Sequence, residues 1–446
     1  MADRISRMKT LINDLAGLER NLVSDGFDAA LERLRRESPL QMDILEYPSG
    51  SEAWTWIIPD KWACHEAYLE RMNGERLIDY RNDPLHCASY SSSFEGVVTR
   101  DELFEHLHTN SFFSDAIPWR FKYYRTDWGL CCSADLKKTL SDEEYKVVIR
   151  TEHTPGKLKV GEVVVKGETD AEIIICAHLC HPTMVNDDLS GVVVGMEVMR
   201  HLMTLPNLRY TYRLLLTPET IGSIAWLSSH EELIPKIQGG LFLEMVGTDC
   251  PHALQMSFTG DTEIDQCILS AVKEHDPDSW NDAFRRIIGN DERQFNAPGV
   301  RIPMLSLSRV FHPSSGKWPY PEYHTDKDRV ELINWDRLDD SVELVLNIIN
   351  RLEENRYPVN LFHGEVFATR YGLFVDFFTD QEGNWSLFDI IQRVDGSHTV
   401  NQIATTCGIS FGSVMKTLKD LKQHELIRFS DTPVDTRIGR AAESTS

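Results

Sequence analysis

The chain switches repeatedly between continuous apolar runs and stretches in which apolar residues recur every third or fourth position. From about residue 166 to 355 the two textures alternate. The run AEIIICAH suits a strand buried on both faces, and the segment after it places Val192, Val194, Met196, Val198, Met199 and Leu202 as a helix over 188–204 would bury them. RYTYRLLL precedes a predicted helix near 223–237, GGLFLEMV a turn, LQMSF a helix near 262–275, and PMLSLS a final helix near 333–354. Strands alternating with helices predict an α/β fold: a mixed sheet with helices on both faces and its chemistry beyond the strand ends.

The flanks read differently. Residues 5–37 hold two amphipathic helices, with Met8, Leu11, Ile12, Leu15 and Leu18 in one and Phe27, Ala30, Leu31 and Leu34 in the other. Residues 1–44 and 166–356 are therefore assigned to one α/β domain. Between them, 45–165 breaks into short strand-like pieces, WTWIIP, RLIDY, RFKYY and WGLCCS, separated by Gly, Pro, Asn and Asp, which predicts a mostly β inserted domain. After Tyr357-Pro358 the pattern of helix, helix, Gly408 turn, helix and strand matches a winged helix-turn-helix over 357–430. The polar residues 431–446 read as a flexible tail.

Composition narrows the function classes. The chain has 446 residues, too many for one ordinary core, and a formal net charge of −23 that opposes nucleic acid or an anionic membrane as the main partner. Lys416, Lys419 and Lys422 on the last helix are interrupted by Asp420 and followed by Glu425, so protein interaction suits this module better than DNA. No run approaches the roughly 20 apolar residues of a membrane span, and the amino terminus lacks the apolar core of a signal peptide, so a cytoplasmic location is expected. Nine irregularly spaced cysteines read as reduced thiols. His65, His86, His106 and His108 have no carboxylate or cysteine partners at metal-site spacing and read as surface or hydrogen-bonded side chains.

The stretch Ile173–Gly191, IIICAHLCHPTMVNDDLSG, delivers His178 at a strand end and Asp187-Asp188 at a helix entrance. A neutral imidazole and a carboxylate on rigid elements begin a zinc site, which needs at least one more protein ligand. The same residues also suit a capped helix and a hydrogen-bonded histidine. Further candidates fall at the other strand ends: Glu219 after RLLLTP, Glu244 closing GLFLE, and His324 in YPEYHTDKD.

The pieces AHLCHP, NDDLSG, TPETIGS, LEMVG and YHTDKD, in this order, resemble the zinc aminopeptidase and glutamate-carboxypeptidase superfamily. GNDERQFNAPGVRIP is similar to that family's segment between the last acid and the late histidine. Taken with the flanks, the chain resembles an aminopeptidase-like subfamily with an inserted β domain and a carboxy-terminal winged helix. Three positions depart from the pattern. The family's His-x-Asp is His178-Leu179-Cys180, with His181 as an extra imidazole; its Glu-Glu is Glu219-Thr220; and Asn290-Asp291-Glu292-Arg293 stands where many members have Ser-Asp-His.

The resemblance implies a zinc-dependent hydrolase of peptide or amide bonds, an aminopeptidase-type exopeptidase for short peptides or aminoacylated small molecules. By carry-over, Asp187 lies between the metal positions, His178 and Glu244 complete one, His324 serves the other, and Glu219 is the general base. With Thr220 in a ligand's place, one tightly held zinc is expected, the second weak or absent. His181 either replaces the missing ligand or orients one from behind, and Asp291 and Arg293 either face the substrate or pair locally. Asp188 is expected to shape the turn, with a cis Asp187-Asp188 peptide as in the family. The alternative is a non-catalytic metal-binding or regulatory protein that works through its winged helix, which Cys180 and Thr220 favour. The winged helix and the inserted domain are both plausible surfaces for a homo-oligomer or a protein partner.

Overall fold

The computed structural model describes residues 2–37 and 41–437. It divides into two units, one of residues 1–260 and 278–343, the other of residues 261–277 and 344–446.

An eight-stranded mixed sheet organises the first unit, in the order Met42–Pro48, Lys157–Val165, Thr211–Thr217, Glu172–His178, Ile237–Leu243, Met304–Arg309, His252–Gln255, Trp280–Asp282. Glu172–His178 lies between two parallel neighbours, and every one of its residues is buried, as its unbroken apolar run predicts. Its register sets His178 beside Thr217, the last residue of the next strand, so both chains leave the sheet at the same edge. Arg213 on that neighbour is buried and closes ion pairs with Glu162 at 2.7 Å and Glu172 at 2.9 Å. Helix Leu189–Leu202 follows; its first seven residues are all buried, and Met8, Leu11, Ile12 and Leu15 of helix Ala2–Leu15 are buried as well.

The expected inserted domain needs new boundaries. Met42–Pro48 and Lys157–Val165 pair with each other and extend the large sheet. Met42, Val160 and Val163 are buried, and Gly161 lets Leu31 of helix Asp25–Glu37 approach so closely that a Cβ there would lie 2.9 Å from it. Between these two strands in the chain lies a four-stranded antiparallel sheet, Arg76–Asp79, Lys61–Arg71, Glu144–Thr154, Phe94–Thr99, with short pieces around it. RFKYY, read as a strand, forms only an isolated bridge, Ser89 to Phe121, and Phe121 stacks on Tyr123. The helix expected near 223–237 ends at Ser229, and Pro235 sits in a separate single turn, Ile234–Lys236.

In the second unit, helices Gln381–Gln392, Val400–Cys407 and Phe411–Gln423 enclose an apolar core that includes Ile390, Ile403, Val414, Leu418 and Leu421. Tyr357–Asn360 pairs antiparallel with Ile427–Ser430. Thr399 caps its helix reciprocally with Gln402, and Gly408 takes the left-handed conformation that ends it. The expected flexible tail is anchored at its start: Val434 N–H donates to the Gly396 carbonyl at 2.9 Å, and the Thr436 hydroxyl to that of Asp395 at 3.1 Å. Residues 438–446 lie outside the described residues.

Candidate functional site

The site grows from the strand end at His178. The Asp187-Asp188 peptide is cis. Asp188 does the structural work foreseen for it, accepting from the backbone N–H groups of Gly191 at 2.9 Å and Met245 at 3.1 Å, which caps helix Leu189–Leu202. Asp187 turns the other way and gathers imidazoles. His178 Nε2 stands 3.1 Å from Oδ1, His324 Nε2 3.0 Å from Oδ2, and His181 Nε2 3.8 Å from Oδ2. Across from them the Glu219 carboxylate is 3.8 Å from His181 Nε2.

The structure thus brings His178, His181, Asp187, Glu219 and His324 together. It does not place Glu244 in the same cluster: its carboxylate is buried and accepts hydrogen bonds from Asn290 and, at 3.1 Å, from the Ser306 hydroxyl. Asp291 is also turned inward, accepting from Ser223, from Thr220 N–H at 3.0 Å and from the Thr217 hydroxyl at 3.4 Å. Arg293 lies along the rim, its Nη2 donating to the Thr220 hydroxyl at 3.1 Å. Thr220, in the position where the resemblance expects a ligand, is therefore tied to Asp291 and Arg293. Cys180 fills the place of the missing carboxylate: its Sγ accepts the Glu219 backbone N–H at 3.0 Å and lies 4.0 Å from His181 Nδ1.

Several residues that shape the site give no signal in the sequence pattern. Asp328 accepts from the backbone N–H groups of Val185, Asn186 and Asp187 at 3.2, 2.6 and 3.1 Å, and from the Tyr320 hydroxyl at 2.7 Å. Arg20, fully buried, donates to the carbonyls of Leu179, His181 and Met184, holding the other half of the same loop. Trp119 comes from the inserted segment, packs against the rings of His181 and His324 at 4.3 and 4.7 Å, and donates its backbone N–H to the His324 carbonyl. Tyr323 stacks on His324 at 3.8 Å. Only the short spacing of Asp328 from His324 in YHTDKD hinted at any of them.

Burial and charge set the protonation. Burial works against ionisation of Asp187, but His181, His178 and His324 outweigh it and hold the carboxyl well below its ordinary range. Burial keeps His181 neutral, its pKa well below the usual imidazole value. Glu219 is pushed up to about 7, first by burial and then by Asp291 and Asp187 against the opposing pull of His178. Glu244 is raised well above the carboxylate range, chiefly by burial and next by Glu292.

The fit to a metal can be judged from the unsatisfied atoms. His178 Nε2, His181 Nε2 and Asp187 Oδ2 are buried and, for all their proximity, none has a hydrogen-bond partner of acceptable geometry. Burial opposes protonation of His178, but Asp187 raises its imidazole well above the ordinary value, whereas His181 stays neutral. A neutral imidazole nitrogen beside an ionised carboxylate oxygen is what a borderline-soft divalent cation takes. The ligand atoms of His181, Asp187 and His324 lie within 4.8 Å of one another, as do those of His178, Cys180 and His181.

Comparison with known proteins agrees with this architecture. Residues 9–355 match the model of a family described as "Domain of unknown function (DUF4910)". The chain belongs to the DUF4910 family. The DUF4910 protein is 32% identical over 425 residues, covering 94% of this chain and 95% of the relative, to a Clostridium acetobutylicum protein named "Putative polysaccharide biosynthesis protein with aminopeptidase-like domain". A crystal structure of a "putative peptidase" from the same species has 31% identity and a TM-score of 0.85, covering 96% of this DUF4910 chain and 97% of the other. A zinc aminopeptidase from Bacillus subtilis is similar in fold, with 15% identity, a TM-score of 0.59, and coverage of 78% of this chain and 94% of that one. The large mixed sheet of the DUF4910 protein is thus that of an aminopeptidase-like fold. No helix among its described residues is long and apolar enough to cross a membrane.

Proposed function

We propose that this DUF4910 protein is a zinc-dependent hydrolase of peptide or amide bonds, an exopeptidase of aminopeptidase type acting on short peptides or aminoacylated small molecules. The observation that carries the reading is the convergence of His181, Asp187 and His324, whose ligand atoms lie within 4.8 Å of one another, with His181 Nε2 and Asp187 Oδ2 buried and unsatisfied beside the Glu219 carboxylate. His181, Asp187 and His324 would hold the ion, with His181 in the role that Thr220 leaves empty. The second position that the resemblance gives to His178 and Glu244 would be weaker, because Asn290 and Ser306 already occupy the Glu244 carboxylate and leave it outside the cluster.

Bound zinc supplies Lewis-acid polarisation of an amide carbonyl. The protein's own residues do the rest. Glu219, with its carboxyl near 7, is matched to accepting a proton from the attacking water and returning it to the departing amine. Cys180 holds the Glu219 backbone in place, and Trp119 and Tyr323 wall the histidines with aromatic surface that keeps bulk water back. The polysaccharide-biosynthesis name of the Clostridium relative favours a sugar-linked amide among the candidate substrates. The helices after residue 380 fit a winged-helix interaction module rather than a DNA reader, since Lys419 is spent on Glu354 at 2.6 Å.

The test is elemental analysis of wild type and Asp187→Ala together with hydrolysis of aminoacyl amides. Near one equivalent of zinc, lost with activity in the variant, is the expected result. A metal-free protein that stays inactive after zinc or cobalt is added would sink the reading.

A further inference from the structure

A second cavity, of about 420 Å³, opens beside the site and is lined by Arg285, Arg286, Gly289, Arg293, Pro313 and Trp318 among others. Three guanidinium groups on one cavity are conspicuous in a chain of net charge −23, in which many arginines are matched to acids. Among the described residues none of these three forms an ion pair with Asp or Glu. Arg285 and Arg286 are exposed at the mouth and Arg293 is half-buried.

The position of Arg293 is built. A Cβ on Gly289 would stand 3.2 Å from Arg293 Cδ, so the glycine lets the arginine side chain lie against the backbone. Its Nε donates to the Asn290 carbonyl at 2.8 Å and its Nη2 to the Thr220 hydroxyl at 3.1 Å, leaving Nη1 uncommitted. Trp318 lines the same cavity, and its indole N–H is buried with no hydrogen-bond partner. Guanidinium forks offer only donors and only positive charge, which is the complement of a planar or tetrahedral oxyanion.

We infer that this cavity is an anion subsite that takes a carboxylate or phosphate group through Arg285, Arg286 and Arg293. Arg293 also touches Thr220, the neighbour of Glu219, so the subsite adjoins the catalytic centre and would hold the anionic end of a substrate. That last step rests on the hydrolase reading; the binding of the anion does not.

Isothermal titration of inorganic phosphate and of glutarate, at constant ionic strength, into wild type, Arg285→Gln/Arg286→Gln and Arg293→Gln tests it. Saturable binding of one anion per chain is expected, weakened about tenfold or more in each variant, as loss of charge-assisted hydrogen bonds requires. Response to phosphate alone identifies a phosphate ligand, to glutarate alone a carboxylate, and to both a general oxyanion site. No saturable binding of either anion, or variants that melt like wild type and bind as it does, overturns the inference. Zinc content of the same wild-type sample separates this failure from failure of the hydrolase reading.

Discussion

At the scale of single residues, the site is a set of substitutions that compensate one another. Thr220 cannot ligate a metal, yet His181 brings a neutral nitrogen to the same carboxylate oxygen that His324 approaches. Cys180 stands where the resemblance expects a carboxylate, and its sulfur anchors the backbone of Glu219. Two predictions belong here. Glu219→Gln removes the proton acceptor and lowers kcat on an aminoacyl amide by roughly 10²–10⁴ while zinc content stays at the wild-type level. His181→Ala should weaken zinc, measured by competition with a chelator, by more than the about 10–100-fold typical of an outer supporting residue such as Cys180; equal losses in His181→Ala and Cys180→Ser would rule out His181 as a ligand. His178 and Glu219 stood out in the sequence because each ends or follows an apolar run, and Asp187 and His324 because they fall in the motifs NDDLSG and YHTDKD. The sequence could not decide the role of His181 or the seclusion of Glu244, since both depend on side chains distant in the chain: Trp119 for His181, Asn290 and Ser306 for Glu244.

Among elements, the loop between His178 and helix Leu189–Leu202 is the critical one, and it has little regular structure of its own. Asp328 holds three consecutive amides on one side of it and Arg20 three carbonyls on the other. Each buried amide left without its acceptor costs about 1–3 kcal/mol. Asp328→Ala should therefore destabilise the protein by several kcal/mol in denaturant unfolding and reduce zinc affinity about 10–100-fold, because it loosens the loop that aims Asp187. A variant with wild-type zinc affinity would show that the loop is held by other means. The strands and helices of the large sheet were legible because their apolar runs are long and their faces consistent. The edges were not. Met42–Pro48 and Lys157–Val165 are only half apolar, and their membership of the sheet is fixed by pairing with each other across the whole insertion, a contact that no local pattern records.

At the scale of the whole molecule, acidity and buried histidines make stability depend on pH. His108 in the inserted segment is depressed to about 4, chiefly by burial and then by Lys122 and Arg120. The unfolded chain binds this proton near 6.5, the folded chain only near 4, so the unfolded state holds more protons between those values. The contribution is complete above pH 6.5 and is lost as pH falls toward 4. His108→Gln should accordingly show a smaller drop in Tm between pH 7 and pH 4.5 than wild type; an equal drop would mean that other groups dominate the acid response. The order of the ligands along the chain has a consequence for biosynthesis. His178, His181, Asp187 and Glu219 emerge from the ribosome well before His324, and the Trp119 backbone that receives His324 waits for it from an earlier segment. On the proposed reading, a nascent or prematurely terminated chain carries the first ligands without the closing histidine, and the ion-binding set is complete only once His324 has been made.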